Sequence, residues 1–216
     1  MFLTDPRIRA AYAEGAGIYR IIPSAVAIPA STADVVSIIR QAVDKRLRLI
    51  PRGAGSGMPG GNVGHDVVVD MSAGFAELSI DPERRIARAG TSVTWAAVND
   101  AAKSHGLRLP PDPSSGAFAT SGGMVSTNAA GPRTVRYGSV RGWVEGLEVV
   151  EADGSARSIQ RGQGTSKFSL TTDGRRLIAD RFPTTRKNSS GYALDRFAES
   201  GDELDLFVGA EGTLGI

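Results

Sequence analysis

The stretch Arg52-Gly53-Ala54-Gly55-Ser56-Gly57-Met58-Pro59-Gly60-Gly61 places five glycines in ten residues. A short strand pattern, Leu47-Arg48-Leu49-Ile50, precedes it, and a more apolar one, Val67-Val68-Val69-Asp70, follows. Glycine has no Cβ, so a run of glycines lets successive backbone N–H groups turn around an anion without steric cost. The natural guest of such a loop is a phosphate or a pyrophosphate. Three readings compete. A dinucleotide fingerprint requires glycines that open directly into a helix, but Pro59-Gly60-Gly61-Asn62 follows and no helical pattern appears before Val67. A Walker loop requires a closing Gly-Lys-Ser/Thr, which is absent. The remaining reading is a hairpin connection that binds nothing.

Composition narrows the possibilities. The chain has 216 residues, enough for one domain with a sizeable core or for two small lobes. Its net charge of +2 gives no electrostatic case for nucleic acid or for a membrane surface. It contains no cysteine, which removes disulfides, thiolate metal sites, iron–sulfur clusters within this segment and cysteine nucleophiles. Two histidines make a multi-histidine metal site unattractive. No apolar run approaches the ~20 residues of a transmembrane helix, and the N-terminus lacks the pattern of a signal peptide, so the cytoplasm is the expected location. Glycine is the outlier, at 27 of 216 residues against an average of about 7%.

Outward from the loop, the pattern is mixed α and β. Residues 5–14 read as a short helix. Ala25 to Pro29 reads as extended. Ser31 with Asp34 forms a capping-box-like start to an amphipathic helix over 32–45, with Val35, Ile38, Ile39, Ala42 and Val43 on its apolar side. Strands are expected over 77–80 and 85–89, joined by the turn Asp81-Pro82-Glu83. A helix over 94–105 buries Trp95, Val98, Ala101 and Ala102, turns Asn99, Asp100 and Lys103 to water, and stops at Gly106. From Leu109 to about Arg141 no periodicity is visible, and a stretch of that length is usually functional. Strands at 143–151 and 156–159 flank an Asp153-Gly154 turn. A short helix is expected over 174–182, near Arg175, Arg176, Arg181, Arg186 and Lys187, which read as a solvated basic face. Leu206-Phe207-Val208 reads as a last strand.

Three glycine-rich segments, 52–61, 121–131 and 209–215, suit one large ligand better than three unrelated turns. Arg52 to Gly57, Pro110-Pro111-Asp112-Pro113-Ser114, Gly122-Gly123-Met124-Val125-Ser126-Thr127-Asn128-Ala129-Ala130-Gly131, Tyr137-Gly138 and Glu211-Gly212-Thr213-Leu214-Gly215-Ile216 occur in this order. Together they resemble the FAD-binding domain of the vanillyl-alcohol oxidase / p-cresol methylhydroxylase (PCMH-type) flavoproteins. Within that superfamily the glycolate oxidase, D-lactate dehydrogenase and D-2-hydroxyglutarate dehydrogenase group is the most similar.

The resemblance implies an α+β fold of two lobes, about 20–90 and 91–216, with FAD between them and residues 1–19 as a preceding helical segment. The first lobe would carry a small parallel-rich sheet and the second a mixed or antiparallel one. It implies that Gly53, Ala54, Gly55, Ser56 and Gly57 wrap the pyrophosphate, with Arg52 adding charge or pointing to solvent. Pro111, Asp112, Ser115, Ser121, Gly122, Gly123, Ser126 and Asn128 would pass along the flavin and ribityl chain. Glu211, Gly212 and Ile216 would close the other side. Hydroxyls and amides in such segments also satisfy local turns, which is the competing role for Ser56, Ser114, Thr120 and Asn128. Lys187 to Leu194 resembles a further family segment and reads as a loop anchor, with Tyr192 and Leu194 in the core.

Some relatives attach flavin through a histidine in the first loop or through a cysteine. Residues 52–61 hold neither, so non-covalent FAD is expected. His65 reads as a surface or neighbouring residue and His105 as a partner of a helix C-terminus. The implied activity is oxidation of a 2-hydroxy acid, with hydride passing from the α-carbon to the flavin. Relatives continue into a substrate domain carrying the acid–base residues, so this chain reads as a separated cofactor domain without such a residue of its own. An electron-acceptor protein or an iron–sulfur segment is an expected partner, since the stretch 160–190 resembles that of long iron–sulfur fusions. The alternative is a flavin-binding electron-transfer subunit without a substrate site. The cell-wall enolpyruvyl reductase of the same fold is disfavoured, because its substrate domain too would be missing.

Overall fold

The computed structural model describes residues 2–163, 166–185, 187–189 and 191–216. The strand β1 (Ala25–Ala27) leads into helix α2 (Thr32–Asp44), after a short α1 (Pro6–Ala11). Ser31 caps α2: its Oγ accepts from the Asp34 N–H at 3.2 Å, and Asp34 accepts from the Ala30 N–H at 3.0 Å. The Ala30 amide first, and then the Ser31 hydroxyl, which also donates to Asp34 Oδ2 at 2.9 Å, hold the Asp34 carboxyl below the usual carboxylate range. Val35, Ile38, Ile39 and Ala42 are buried as the periodicity predicts, whereas Val43 is 63% exposed.

Strands β2 (Leu49–Arg52) and β3 (Val67–Asp70) complete a parallel sheet of order β1-β3-β2. Val68 sits opposite Val26 and Ile50, and Asp70 opposite Arg52. The central position of β3 explains why Val67, Val68 and Val69 are wholly buried. The edge position of β2 tolerates Pro51, which has no N–H to donate. The topology also settles what the glycine loop is. Parallel neighbours need a crossover of a dozen or more residues, and residues 53–66 are that crossover, so the hairpin reading fails.

An antiparallel hairpin, β4 (Leu78–Asp81) and β5 (Ile86–Ala89), leads to α3 (Trp95–Lys103). Asn99 does not face water: its Nδ2 donates to the Trp95 carbonyl at 3.0 Å and its Oδ1 accepts from the Leu109 N–H at 3.0 Å. The aperiodic stretch holds two helices too short to show a period, α4 (Ser121–Ser126) and α5 (Thr134–Tyr137), and a 3-10 turn at Val140–Trp143. The second hairpin pairs β6 (Gly146–Val150) with β7 (Ala156–Gln160). Then come α6 (Thr172–Arg181), α7 (Leu194–Ser200) and α8 (Leu204–Phe207).

The expected strand at 206–208 is thus a short helix instead. Asp202 starts it, its Oδ1 accepting from the Leu204 N–H at 2.9 Å. Buried acids then bind it to β7: Arg157 pairs with Glu203 at 2.7 Å and with Glu151, and Arg161 reaches Asp205 at 3.2 Å. Of the basic residues near α6, Arg175 donates to the Ala198 carbonyl at 2.7 Å and Arg176 lies 3.9 Å from Asp180. Arg186 lies outside the described residues. Tyr192 is not core. It is 38% exposed and its hydroxyl meets Thr213 Oγ1 at 2.6 Å, while Ala193 and Phe197 are the buried neighbours. Leu194 is half-buried.

Two apolar clusters result. One packs α2 on the parallel sheet and includes Val150. The other gathers Met124, Val140, Val149, Ile159, Leu204, Phe207 and Val208. Among the described residues no helix is long and apolar enough to cross a membrane, and no group of three acidic or histidine side chains could hold a metal.

Candidate functional site

The three glycine-rich segments, far apart in sequence, lie against one another. A Cβ on Gly53 would collide with Thr120 Oγ1, at the start of α4. A Cβ on Gly61 would stand 2.6 Å from Glu211 Oε2, and one on Gly212 would stand 2.5 Å from Pro51 Cγ. The second and third segments are joined by main-chain bonds, Gly209 N–H to the Val125 carbonyl and Glu211 N–H to the Ser126 carbonyl, both 2.9 Å. Small residues fit here because side chains of the neighbouring segments lie directly against the glycine backbone.

The segments differ in what their amides do. Among the described residues, none accepts a hydrogen bond from the backbone N–H of Gly53, Ala54, Gly55, Ser56 or Gly57. Gly55 is buried in a left-handed conformation, φ +71°. Gly53, Ser56 and Gly57 are half-buried and Ala54 is exposed, and backbone donors without acceptors are rare where, as at Gly55, a chain is buried. Five in succession, in a glycine loop, are the donor set that an anion would complete. Asn62 holds the loop's far side by donating to the Gly57 carbonyl at 2.9 Å, and its buried Oδ1 is unpartnered.

The Arg52 side chain turns inward. Its Nη1 lies 3.4 Å from the carbonyls of Tyr12 and Asn62, and its guanidinium stands 5.5 Å from the centre of the Tyr12 ring. Tyr12 donates to Asp70 Oδ2 at 2.5 Å. Burial first, then that bond and the Asp70 charge, push the Tyr12 phenol up to about 12. Asp70 is itself buried and also accepts from Ser72 N–H and Oγ.

Other expected contacts are engaged within the protein. Ser121 Oγ donates to the Gly90 carbonyl at 2.6 Å. Asn128 is buried with φ +47°, and its Oδ1 accepts from the Arg141 N–H at 3.2 Å. Arg141 in turn donates to the Val208 carbonyl at 2.5 Å, and burial lowers its pKa. Asp112 pairs with Arg133 at 3.3 Å, and Pro111 is buried. Ile216 exchanges two main-chain bonds with Val150, at 2.8 and 2.9 Å. Gly122, Gly123, Ser115 and Ser126 are half-buried. A hollow of about 510 Å³ is lined by Arg108, Arg133, Val135, Arg136 and Tyr137. It shares no lining residue with the three glycine-rich segments. His65 and His105 are exposed.

The profile of a family described as the FAD binding domain matches residues 23–160. The chain belongs to this family. The chain is 36% identical over 189 residues to a D-lactate dehydrogenase of Archaeoglobus fulgidus, covering 87% of this chain and 35% of that protein. It is 33% identical to a D-2-hydroxyglutarate dehydrogenase of Escherichia coli, covering 91% and 22%. It is 32% identical to the glycolate oxidase subunit GlcD of Bacillus subtilis, covering 92% and 36%. The chain therefore spans well under half the length of these relatives. Among solved structures, 6-hydroxy-D-nicotine oxidase from Arthrobacter nicotinovorans superposes with a TM-score of 0.65 at 23% identity, over 74% of this chain and 35% of that one. An alkyldihydroxyacetonephosphate synthase superposes at 0.69 and 17%, over all of this chain and 34% of that one. The fold is the PCMH-type FAD-binding fold.

The residues present fit the dinucleotide on the structure's own terms, since its bridging phosphates would supply acceptors of the kind that amides 53–57 lack. Sequence reading missed Tyr12, Asp70 and Asn62, which shape that loop, and Arg141, which ties the second segment to the third. Position beside the glycine run was the only signal, and only Asn62 had it.

Proposed function

We propose that this chain is the FAD-holding part of a flavin-dependent oxidoreductase acting on a 2-hydroxy acid. The observation that carries this is the run of five acceptor-free amides at 53–57, lying where three small-residue segments meet. The names of the relatives supply the substrate class. Bound FAD would supply two-electron acceptance from the substrate carbon; the chain's own residues bind and orient it. Gly53 to Gly57 would hold the pyrophosphate, with Ser56 as a further donor. Pro111, Asp112, Ser115, Ser121, Gly122, Gly123, Ser126 and Asn128 would lie along the flavin and ribityl chain. Glu211, Gly212 and Ile216 would lie on the opposite side.

The division into lobes at about 20–90 and 91–216, with FAD between them, belongs to this proposal. So do non-covalent attachment, a cytoplasmic location, and an electron-acceptor protein or iron–sulfur segment as partner. The test is the visible spectrum of the purified protein before and after acid precipitation. A flavin spectrum released to the supernatant is the expected result. A colourless protein that takes up no added FAD would refute the reading, and colour retained in the pellet would refute non-covalent attachment.

A further inference from the structure

The family match begins at residue 23, yet residues 12–17 touch the glycine loop repeatedly. Ala16 N–H donates to the Gly55 carbonyl at 2.9 Å. A Cβ on Gly15 would stand 2.9 Å from that same carbonyl, and one on Gly17 would collide with the Met58 carbonyl. Tyr12 offers its ring and its carbonyl to Arg52. We propose that this segment is a working part of the dinucleotide site: Tyr12, fixed by Asp70, holds the Arg52 guanidinium behind amides 53–57 as a fixed positive charge for the pyrophosphate. The inference rests on the FAD reading above.

Three features carry it. First, the guanidinium lies against the loop's backbone: a Cβ on Gly55 would stand 2.5 Å from Arg52 Nη2 and 2.8 Å from Cζ. Second, its charge is not neutralised. Its hydrogen-bond partners are carbonyls, and among the described residues it forms no ion pair within 4.0 Å, although Asp70 is its cross-strand partner. Asp70 instead accepts from the Tyr12 hydroxyl and from the N–H and hydroxyl of Ser72. Third, the group is anchored only by a ring face and two carbonyls at 3.4 Å. A half-buried cation with no direct ion pair among the described residues, beside five donors without acceptors, is an arrangement that a doubly charged anion completes. Tyr12 and Asp70 are positioning residues: they set where the cation stands.

The experiment titrates flavin-stripped protein with FAD, followed by flavin fluorescence, at salt from about 0.05 to 0.5 M. Riboflavin, which lacks the phosphates, is titrated in parallel. Arg52→Met is expected to weaken FAD about 10- to 100-fold, to flatten the salt dependence, and to leave riboflavin unchanged. Arg52→Lys is expected to restore part of the loss. Tyr12→Phe keeps the ring and loses the hydroxyl; it should weaken FAD about 3- to 10-fold, and should add little in the Arg52→Met background, as coupled residues do. Circular dichroism checks the fold, and if Arg52→Met does not fold, the Lys and Phe variants carry the test. Tyr12→Phe binding FAD like the wild type, additive losses in the double variant, or an unaltered salt dependence without Arg52 each overturn this inference alone. A wild type that takes up no FAD overturns the proposed function and this inference with it.

Discussion

The loop at 53–57 and the segment at 121–131 are made of the same small residues, but their backbones do different work. In the second segment each amide of residues 121–124 and 127–129 has an acceptor within the protein, such as Thr91, Val93 or Thr120. Its glycines allow close approach: Gly122 against Thr91, Gly131 against Asp112. In the first segment the amides have no protein acceptor, and the loop is the crossover between two parallel strands. Glycine content alone would assign both the same role. Accounting for every donor separates a loop whose amides stay open from a segment whose amides are taken up by its neighbours.

The largest effect should come from Gly55→Val. The site combines φ +71° with a Cβ position 2.5 Å from Arg52 Nη2, so a β-branched residue is both strained and obstructed. Flavin retained per folded protein, read as the ratio of visible to ultraviolet absorbance, should fall about tenfold or more. Unchanged flavin content in a folded variant would remove the distinction between the two segments. Next in size is Gly131→Ala, whose methyl would be driven into the Asp112 carbonyl. It should lower unfolding stability by about 1–3 kcal/mol, the usual cost of overpacking, with a smaller loss of FAD affinity in the folded protein than Gly55→Val causes. A variant of full stability that binds FAD poorly would reverse the assignment. Smaller again is Gly57→Ala. Its methyl meets only Asn62 Nδ2, at 3.3 Å, so stability should stay within about 0.5 kcal/mol. FAD affinity should drop about 3- to 10-fold by titration, because the methyl intrudes on an anion cradle.

The sequence carried the first segment better than the second. A glycine run between two strand patterns is visible by inspection, as are the Ser31–Asp34 cap and the apolar face of α2. The helices α4 and α5 were not, since six and four residues are too few for a 3.6-residue period to register. Leu206-Phe207-Val208 is apolar and partly β-branched, hence equally readable as strand or helix. The choice is made by Asp202 at the helix start and by ion pairs to Arg157 and Arg161, more than 40 residues away. Asn99 illustrates the same limit: its polar side chain reads as solvent-facing until Leu109 folds back to donate to it. Tyr12 was legible as a helix residue, but its part in the loop depends on Asp70, 58 positions on. What local pattern could not supply was the partner, and in this fold the partner decides the role.

The smallest effect tests whether Tyr12 belongs to the first region as a neutral hydroxyl donor. Burial and the Asp70 carboxylate raise its pKa from 10.0 to about 12. The unfolded chain therefore ionises this phenol before the folded one does. Its contribution to stability is complete below about pH 10 and is lost as pH rises from there towards 12. Tyr12→Phe has no phenol to ionise, so the wild type's lead in melting temperature over this variant should hold near pH 8 and shrink towards pH 11.5. Alkaline titration of lysines and the other tyrosines acts on both proteins alike and cancels in the difference. A gap that stays constant across that range would mean that the hydroxyl does not donate to Asp70, and Arg52 would then lose the anchor that sets the first segment apart from the second.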